Sequence, residues 1–180
     1  GEFTTLSTWY IRNGSYKILN KVNFPNSLGL FYAIITSFLG FKVNSGEYKV
    51  MGLAPYGNPR FVSLLENILT PTNNFPFFHL NQEYIDTSSG RIFTNKLSEL
   101  VGFSERTPNE KLNQNHLDLA CSLQVLVEGR LKALFHHLKI SYPNLPLTYS
   151  GGVALNCKAN RLISDYFQSY FIQPASNDAG

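Results

Sequence analysis

The first residues of the chain alternate between apolar and polar side chains, as in a β-strand with one buried face. Residues 3–11 are rich in Thr, Trp, Tyr and Ile, and a second strand-like run covers 15–24. Asn13-Gly14 separates the two runs, and this dipeptide is a strong signal for a two-residue hairpin turn. The pattern therefore predicts an antiparallel hairpin over 1–24.

After the hairpin the pattern becomes apolar on all sides. Pro25, Asn26 and Ser27 break the strand and can start a helix, and the run LGLFYAIITSFLGF predicts a helix that is buried all round. We expect Gly40 to end this helix. The next stretch, 42–59, follows no period and holds three glycines and two prolines, so a long ordered loop with one short helix is expected there.

Shorter elements are expected between this loop and residue 114. They are an amphipathic helix over 60–69 that Pro71 stops, a hairpin over 76–93 that turns at Ser88, Ser89 and Gly90, a short helix over 95–101, and a polar connector.

The clearest helical period covers 115–139, where leucines recur near helical spacing. Pro143 and Pro146 close this helix. A strand over 147–150, a helix over 154–167 and a last strand over 169–173 follow. This strand–helix–strand order predicts a parallel pair with a right-handed crossover.

The order of elements places the chain in the α/β class, with a mixed sheet and packed helices. We expect one partial domain with three parts. They are the hairpin 1–24, a middle part 25–114 of helices, loop and hairpin insert, and a nucleotide-binding unit 115–180.

Composition narrows the class of protein. The 180 residues are 43% hydrophobic and 15% charged, which is enough for a sizeable core. The net charge of +3 comes from scattered basic residues, so nucleic-acid binding is not indicated. No apolar run reaches the roughly 18 residues of a membrane span. Cys121 and Cys157 have no CxxC partner, and we expect both to be buried, reduced thiols of a cytoplasmic protein.

Both ends of the chain have the pattern of a piece cut from a longer protein. It opens directly on a strand pattern and stops on the loop-like PASNDAG. A cut domain exposes core surface, so a homodimer through that surface is one expectation.

Gly151-Gly152 at the tip of the strand 147–150 is the first candidate site. In open α/β sheets, ligands lie beyond the carboxyl ends of strands, where the next helix presents free N–H groups and a dipole that favours anions. Glycine lets a phosphate or ribose approach the backbone, and Ser150 and Asn156 could add hydrogen bonds. A simple turn is the alternative.

Two longer stretches resemble a known family. They are YSGGVALNCKANRLI with IQPASNDAG after it, and FPNSLGLFYAIITSFLGFKVNSGEYKVMGLAPYGNP. Together they resemble the O-carbamoyltransferases, which include the nodulation-factor and cephamycin carbamoyltransferases. The resemblance covers most of the chain and is strongest over 24–59 and 115–180.

The resemblance implies an actin-like ATPase fold, shared with sugar kinases and heat-shock chaperones, and an adenylated intermediate. Carbamoyl phosphate and ATP would give carbamoyl adenylate in a second domain, and this domain would pass the carbamoyl group to an acceptor hydroxyl. It also implies that Ser150, Gly151, Gly152 and Asn156 cradle adenosine.

The resemblance further implies a divalent metal, iron(II), held by Asp178 and two histidines spaced HxxxH. Among the four histidines, His79, His116, His136 and His137, no two have that spacing, so the pair is expected upstream and the chain alone should bind metal weakly or not at all. Capping of a following helix is the alternative role for Asp178. We expect His79 and His116 to be structural.

Two further groups are candidates. The start GEFTTLST resembles the family's second phosphate-binding hairpin, where Thr4 and Thr5 would offer hydroxyls, although Thr is also an ordinary strand residue. Glu47 and Lys49 lie in the glycine-rich loop, where they either order the loop, which we favour, or touch carbamoyl adenylate.

Two other functions stay open. One is a threonylcarbamoyl transferase acting on transfer RNA, against which the GEYKVMGLAPYG loop and the lack of a basic patch argue. The other is a non-catalytic module of the same fold that binds nucleotide or a partner.

Overall fold

The computed structural model describes residues 3–86 and 91–176. Its first element is the predicted hairpin, in which β1 (Thr4–Arg12) pairs antiparallel with β2 (Ser15–Asn23). Asn13 and Gly14 both have positive φ, 50° and 75°, as a two-residue turn that matches the strand twist requires. The hairpin prediction is confirmed.

Helix α1 (Leu28–Phe38) is the buried helix that the apolar run predicted. The Ser27 hydroxyl caps it by accepting a hydrogen bond from the Leu30 N–H at 3.1 Å. Every residue of α1 is buried or half-buried, and Gly40, with φ 71°, turns the chain away after it.

The loop over 42–59 contains the short helix expected there and, in addition, a 3-10 turn. Helix α2 (Glu47–Leu53) occupies its centre, and a 3-10 turn, Ala54–Tyr56, follows directly. The next helix, α3 (Val62–Leu65), is shorter than the predicted helix over 60–69.

The predicted hairpin over 76–93 is wrong in its pairing. Strand β4 (Phe78–Leu80) pairs with β3 (Leu69–Pro71), which the sequence placed at the end of a helix. Leu69 and Leu80 face each other in this pair and are fully buried, so burial of side chains distant in sequence decides the pairing. Within the region predicted as this hairpin, Ile85 and Phe93 form an isolated antiparallel bridge. The predicted turn at 88–90 lies outside the described residues.

Helices α4 (Lys96–Val101) and α5 (Gln114–Ser141) agree with their predictions. The start of α5 is a reciprocal cap: the Asn113 side chain accepts from the His116 N–H, and His116 Nδ1 accepts from the Asn113 N–H at 3.1 Å. Burial lowers the pKa of His116, and its role here is structural, as expected. One face of α5 packs into the same core as α1.

The C-terminal strands form the predicted parallel pair, β5 (Leu147–Tyr149) with β6 (Tyr170–Ile172). The single helix predicted over 154–167 is wrong. The chain instead forms a 3-10 turn, then helix α6, then a second 3-10 turn; these span Gly152–Leu155, Cys157–Asn160 and Arg161–Asp165.

Side-chain hydrogen bonds explain the break. Asn156 Oδ1 accepts from the Ala159 N–H at 3.0 Å, and Asn160 Nδ2 donates to the Ala154 carbonyl at 2.7 Å. Such short-range bonds compete with helical backbone bonds and divide the segment.

Three two-stranded sheets form within the described residues, two antiparallel and one parallel, and no larger mixed sheet joins them there. The structure is therefore α/β with small sheets and packed helices. The actin-like fold and the three-part domain division stay predictions. No helix in the described part of the chain is both long and apolar enough to cross a membrane.

Candidate functional site

The turn after β5 is shaped by Gly151. Its φ of 104° and ψ of 169° belong to a backbone region that residues other than glycine rarely adopt. The Gly151 N–H donates to the Ser176 carbonyl at 3.1 Å, and the Gln173 N–H donates to the Tyr149 carbonyl at 3.1 Å. The segment after β6 therefore holds the turn in place.

Gly152 differs from Gly151 because nothing in its own backbone requires glycine. Its φ lies outside the left-handed region, and a Cβ built on either glycine would meet no atom within 4 Å. Both glycines and Ser150 are exposed. A ligand could therefore approach the Gly152 backbone closely, whereas a side chain there would occupy the same space.

The expected helix dipole is not part of this site. Gly152 opens a 3-10 turn of four residues, and the four-residue helix α6 begins only at Cys157. The argument that a long helix favours an anion here is therefore wrong. Recognition at the turn rests on backbone shape and on hydrogen bonds from side chains.

Asn156 lies behind the turn, where its amide pairs with that of Gln124 on α5. Asn156 Nδ2 donates to Gln124 Oε1 at 2.9 Å, and Gln124 Nε2 donates to Asn156 Oδ1 at 3.1 Å. Asn156 Oδ1 also accepts from the Ala159 N–H. Of the two Nδ2 hydrogens, one bonds to Gln124 and the other has no partner among the described residues. Asn156 can therefore offer a ligand one N–H donor.

Gln124 is the centre of a buried polar network and is only 1% exposed. Besides Asn156, it donates to Glu128 Oε1 at 2.9 Å and accepts from the Tyr32 hydroxyl at 3.3 Å. These bonds use both donors and both acceptor positions of its amide. Gln124 therefore fixes how Asn156 is oriented.

The Glu128 carboxylate lies at the edge of the Gln124 network. Glu128 is largely buried and lies 3.7 Å from the exposed Arg161 guanidinium. Burial, followed by the charges of Glu47 and Glu128, raises the pKa of Tyr32 above its ordinary range. Tyr32 therefore stays a neutral donor to Gln124.

Glu47 and Lys49 do not pair with each other in the described structure. The Glu47 carboxylate accepts from the Asn44 N–H at 2.8 Å and the Gly46 N–H at 3.1 Å, so it orders its own loop. The Lys49 ammonium lies 5.8 Å from the centre of the Phe41 ring and is exposed. These contacts favour the structural role for Glu47.

The Thr4 and Thr5 hydroxyls form hydrogen bonds within the hairpin region. Thr4 donates to Asn23 Oδ1 at 3.3 Å, and Thr5 contacts the carbonyls of Val22 and Asn26. These bonds tie the start of β1 to the end of β2. The structure does not bring either hydroxyl into the hydrogen-bond network of Gln124 and Asn156.

A second buried carboxylate, Asp118, anchors the loop after α2 to α5. It accepts from the Asn58 N–H at 2.8 Å, from Gln114 at 2.7 Å and from Arg60 Nε at 2.5 Å. Gly57 permits this contact, because a Cβ there would lie 2.1 Å from the Leu117 carbonyl oxygen. The sequence indicated only a loop with three glycines over 42–59, and no local pattern revealed the close approach of Gly57 to α5.

Comparison with known proteins decides the family. The family model described as "Carbamoyltransferase N-terminus" matches residues 1–180. The chain belongs to the carbamoyltransferase N-terminus family. The resemblance inferred from the GEYKVMGLAPYG and YSGGVALN motifs is confirmed.

Three curated proteins align with most of this chain. The chain is 42% identical over 185 residues to an uncharacterized protein of Synechocystis, 35% identical over 170 residues to nodulation protein NolO of Bradyrhizobium diazoefficiens, and 36% identical over 160 residues to nodulation protein NolNO of Sinorhizobium fredii. These alignments cover 100%, 91% and 86% of this chain but 30%, 28% and 22% of the relatives. The chain thus spans less than a third of each relative.

The predicted metal ligand lies outside the described part of the chain. Asp178 lies in 177–180, which the structure does not describe. Within the described residues, no group of three or more His, Cys, Asp or Glu side chains could hold a metal ion. These residues therefore do not by themselves fit an iron site.

The prediction that both cysteines are buried is wrong for Cys157, which is exposed and lies with its Sγ 3.8 Å from Met51 Sδ. Cys121 is half-buried, and burial raises the pKa of its thiol.

Sequence reasoning missed Gln124, Glu128 and Tyr32. The available signal was a glutamine within the apolar face of the helix over 115–139, since a buried amide needs partners.

Proposed function

We propose that this chain is the nucleotide-binding part of an O-carbamoyltransferase, which transfers a carbamoyl group from carbamoyl adenylate to an acceptor hydroxyl. The observation that carries the proposal is the open space over Gly152, beside a turn held in one shape, in a chain of the carbamoyltransferase family. Glycine at this exposed position beside the turn would let a ligand lie directly against the backbone.

The adenosine part of carbamoyl adenylate would lie against Gly151 and Gly152. The remaining N–H of Asn156 would donate to an acceptor atom of the nucleotide, and Ser150 would add its hydroxyl from the rim. Gln124 would hold the Asn156 amide in position, so that no reorganisation is needed when the nucleotide binds.

The reaction exchanges one bond to the carbamoyl carbon for another. The acceptor oxygen attacks this carbon, the bond from carbon to the AMP phosphate oxygen breaks, and the hydroxyl proton is lost to a base. AMP leaves with the bonding electrons. Hydrogen-bond donors near the carbamoyl oxygen would stabilise the charge that grows on it.

Thr4, Thr5, Glu47 and Lys49 have secondary places in this proposal. Thr4 and Thr5 would contact phosphate only after exchanging their present partners, and Glu47 and Lys49 would shape the loop beside the nucleotide. An iron(II) site in the full-length protein, with Asp178 as one ligand, belongs to the proposal, but no step above depends on it. Carbamoyl phosphate, ATP and a cytoplasmic location are likewise proposed.

The test uses the full-length protein with α-labelled ATP, carbon-labelled carbamoyl phosphate and a panel of sugar and oligosaccharide acceptors. Wild type should release pyrophosphate and AMP only when carbamoyl phosphate is present, and label should enter an acceptor. Gly152→Val should keep pyrophosphate release, because the adenylate would form in another domain, and should lose acceptor labelling. ADP as the product would contradict the proposal.

The threonylcarbamoyl alternative predicts a different requirement. Under it, product formation would need transfer RNA as the acceptor, and sugars would not be labelled. A non-catalytic module would bind nucleotide and release no pyrophosphate with any acceptor in the panel.

A further inference from the structure

The outer surface of the hairpin is apolar and exposed. Four side chains form it, and they are called the outer hairpin face below: Trp9, Ile11, Tyr16 and Ile18, which are 44%, 69%, 72% and 38% exposed. Together they place two aliphatic and two aromatic side chains in water, where burial would stabilise the protein.

The register of the hairpin makes these four side chains one patch. Trp9 pairs with Ile18 and Ile11 pairs with Tyr16, and residues two apart in a strand share a face. The Trp9 and Tyr16 rings meet edge to face with centroids 5.8 Å apart. Contiguous apolar patches of this kind mark interaction sites more often than scattered apolar residues do.

The opposite face of the hairpin already has its partners. Val22 is buried, Thr8 is largely buried and accepts from Asn20 Nδ2 at 3.1 Å, and the Tyr10 ring stacks on Tyr142 at the end of α5. The body of the described structure therefore lies on one side of the hairpin, and the outer hairpin face points away from it.

A two-stranded sheet with one apolar face in water is only marginally stable. The parallel sheet of β5 and β6 exposes an apolar side chain on each face, since Tyr170 and Phe171 are neighbours on β6, point to opposite faces and are both exposed. Parallel strands are almost always covered on both faces. Both sheets thus present surface that a larger molecule would cover.

We propose that the outer hairpin face is the docking surface for the part of the full-length polypeptide outside residues 1–180, which contributes an apolar helix or strand to it. The argument for this occupant is length: each relative cited above is more than three times as long as the segment that matches this chain. A segment of the same polypeptide has an effective concentration of roughly millimolar for a short flexible linker, and a second copy of the chain lacks this advantage.

The first test is hydroxyl-radical footprinting of the full-length protein over a hundredfold range of concentration. Tyr16 and Trp9 should be oxidised at least several-fold more slowly than in the same protein unfolded in urea, and this protection should not depend on concentration. Oxidation at the rate of the unfolded protein would overturn the proposal. Protection that grows with concentration would also overturn it, because a second copy would then be the occupant.

A pair of matched variants of the full-length protein gives a second test. Ile11→Ser and Ile140→Ser make the same change at residues that are 69% and 67% exposed, the latter near the end of α5. Ile11→Ser should lower the Tm and speed the oxidation of Tyr16, whereas Ile140→Ser should do neither. Equal effects of the two variants on both measurements would overturn the proposal.

Discussion

Gly151 and Gly152 are neighbours with different physical reasons to be glycine. Gly151 has a backbone conformation that costs other residues roughly 1–3 kcal/mol. Gly152 has an ordinary φ and open space around it, so the fold should tolerate alanine there. Alanine should raise the free energy of unfolding by about 0.4–1 kcal/mol, because it lowers the conformational entropy of the unfolded chain. Folding therefore does not require glycine at this position, whereas the proposed nucleotide would.

At the same scale, Gln124 is predicted to be the polar side chain whose loss costs most near the site. Gln124→Leu has similar size but leaves Asn156, Glu128 and Tyr32 without their shared partner. Buried polar groups left unpaired should lower the free energy of unfolding by roughly 1–3 kcal/mol. Urea denaturation measures this directly.

The matched control is Gln168→Leu, at an exposed position, where the change should stay within about 0.5 kcal/mol. If Gln124→Leu were as stable as this control, the network would not hold Asn156 in place.

At the scale of elements, the loop from α2 to α3 is held against α5 by a close backbone approach. Gly57→Ala would put a Cβ against the Leu117 carbonyl, so the loop must shift, at a cost of roughly 1–3 kcal/mol. Gly52→Ala, in α2, meets nothing within 4 Å and should stabilise by roughly 0.5–1 kcal/mol. Thermal unfolding should therefore move in opposite directions for the two variants. A stabilised Gly57→Ala would refute the close approach.

Asp118 makes this anchor sensitive to acid. Burial alone would raise its pKa, but hydrogen bonds from the Asn58 N–H, Gln114 and Arg60 outweigh burial and hold the pKa of Asp118 below its ordinary value. A depressed folded-state pKa means that the stabilisation is complete above the unfolded pKa of about 3.9 and is lost as pH falls through the folded-state pKa.

Asp118→Asn should therefore cost about 1–3 kcal/mol near neutral pH. The difference in unfolding free energy between wild type and Asp118→Asn should be constant from about pH 5 to 7 and should shrink below about pH 4. A difference that grows as the pH falls would contradict this account.

The elements that could be predicted carry their signals locally. The first hairpin has Asn13-Gly14, α1 has an unbroken apolar run, and α5 has a long leucine period. The pairing of β3 with β4 had no such signal, since it depends on burying Leu69 against Leu80. The break after Gly152 depends on where the Asn156 and Asn160 side chains find partners, which periodicity does not reveal.

The backbone turn of the candidate site could be predicted from the sequence, but the side chains that hold Asn156 in place could not. The motif around Gly151 and Gly152 places the turn correctly, because strand ends and glycines are readable from sequence. Gln124 is 32 residues from Asn156 along the chain, and the pairing of their amides follows only from the packing of α5 behind the turn.

For the whole molecule, the described structure has small sheets and exposed apolar surfaces that further protein is expected to cover. Its three sheets have two strands each within the described residues, and apolar side chains of the hairpin and of β6 lie in water. The relatives are more than three times longer than the segments that match. A complete transfer reaction is accordingly expected of the full-length protein, and the chain alone should be inactive.

The proposed adenine nucleotide lies against Gly152. The most direct test is isothermal titration of the full-length protein with AMP, using wild type, Gly152→Val and Gly129→Val. Gly129 is a matched control because it is exposed and a Cβ there also meets nothing within 4 Å. Gly152→Val should lose one AMP site that wild type and Gly129→Val both retain. The same stoichiometry and Kd in all three proteins would contradict it.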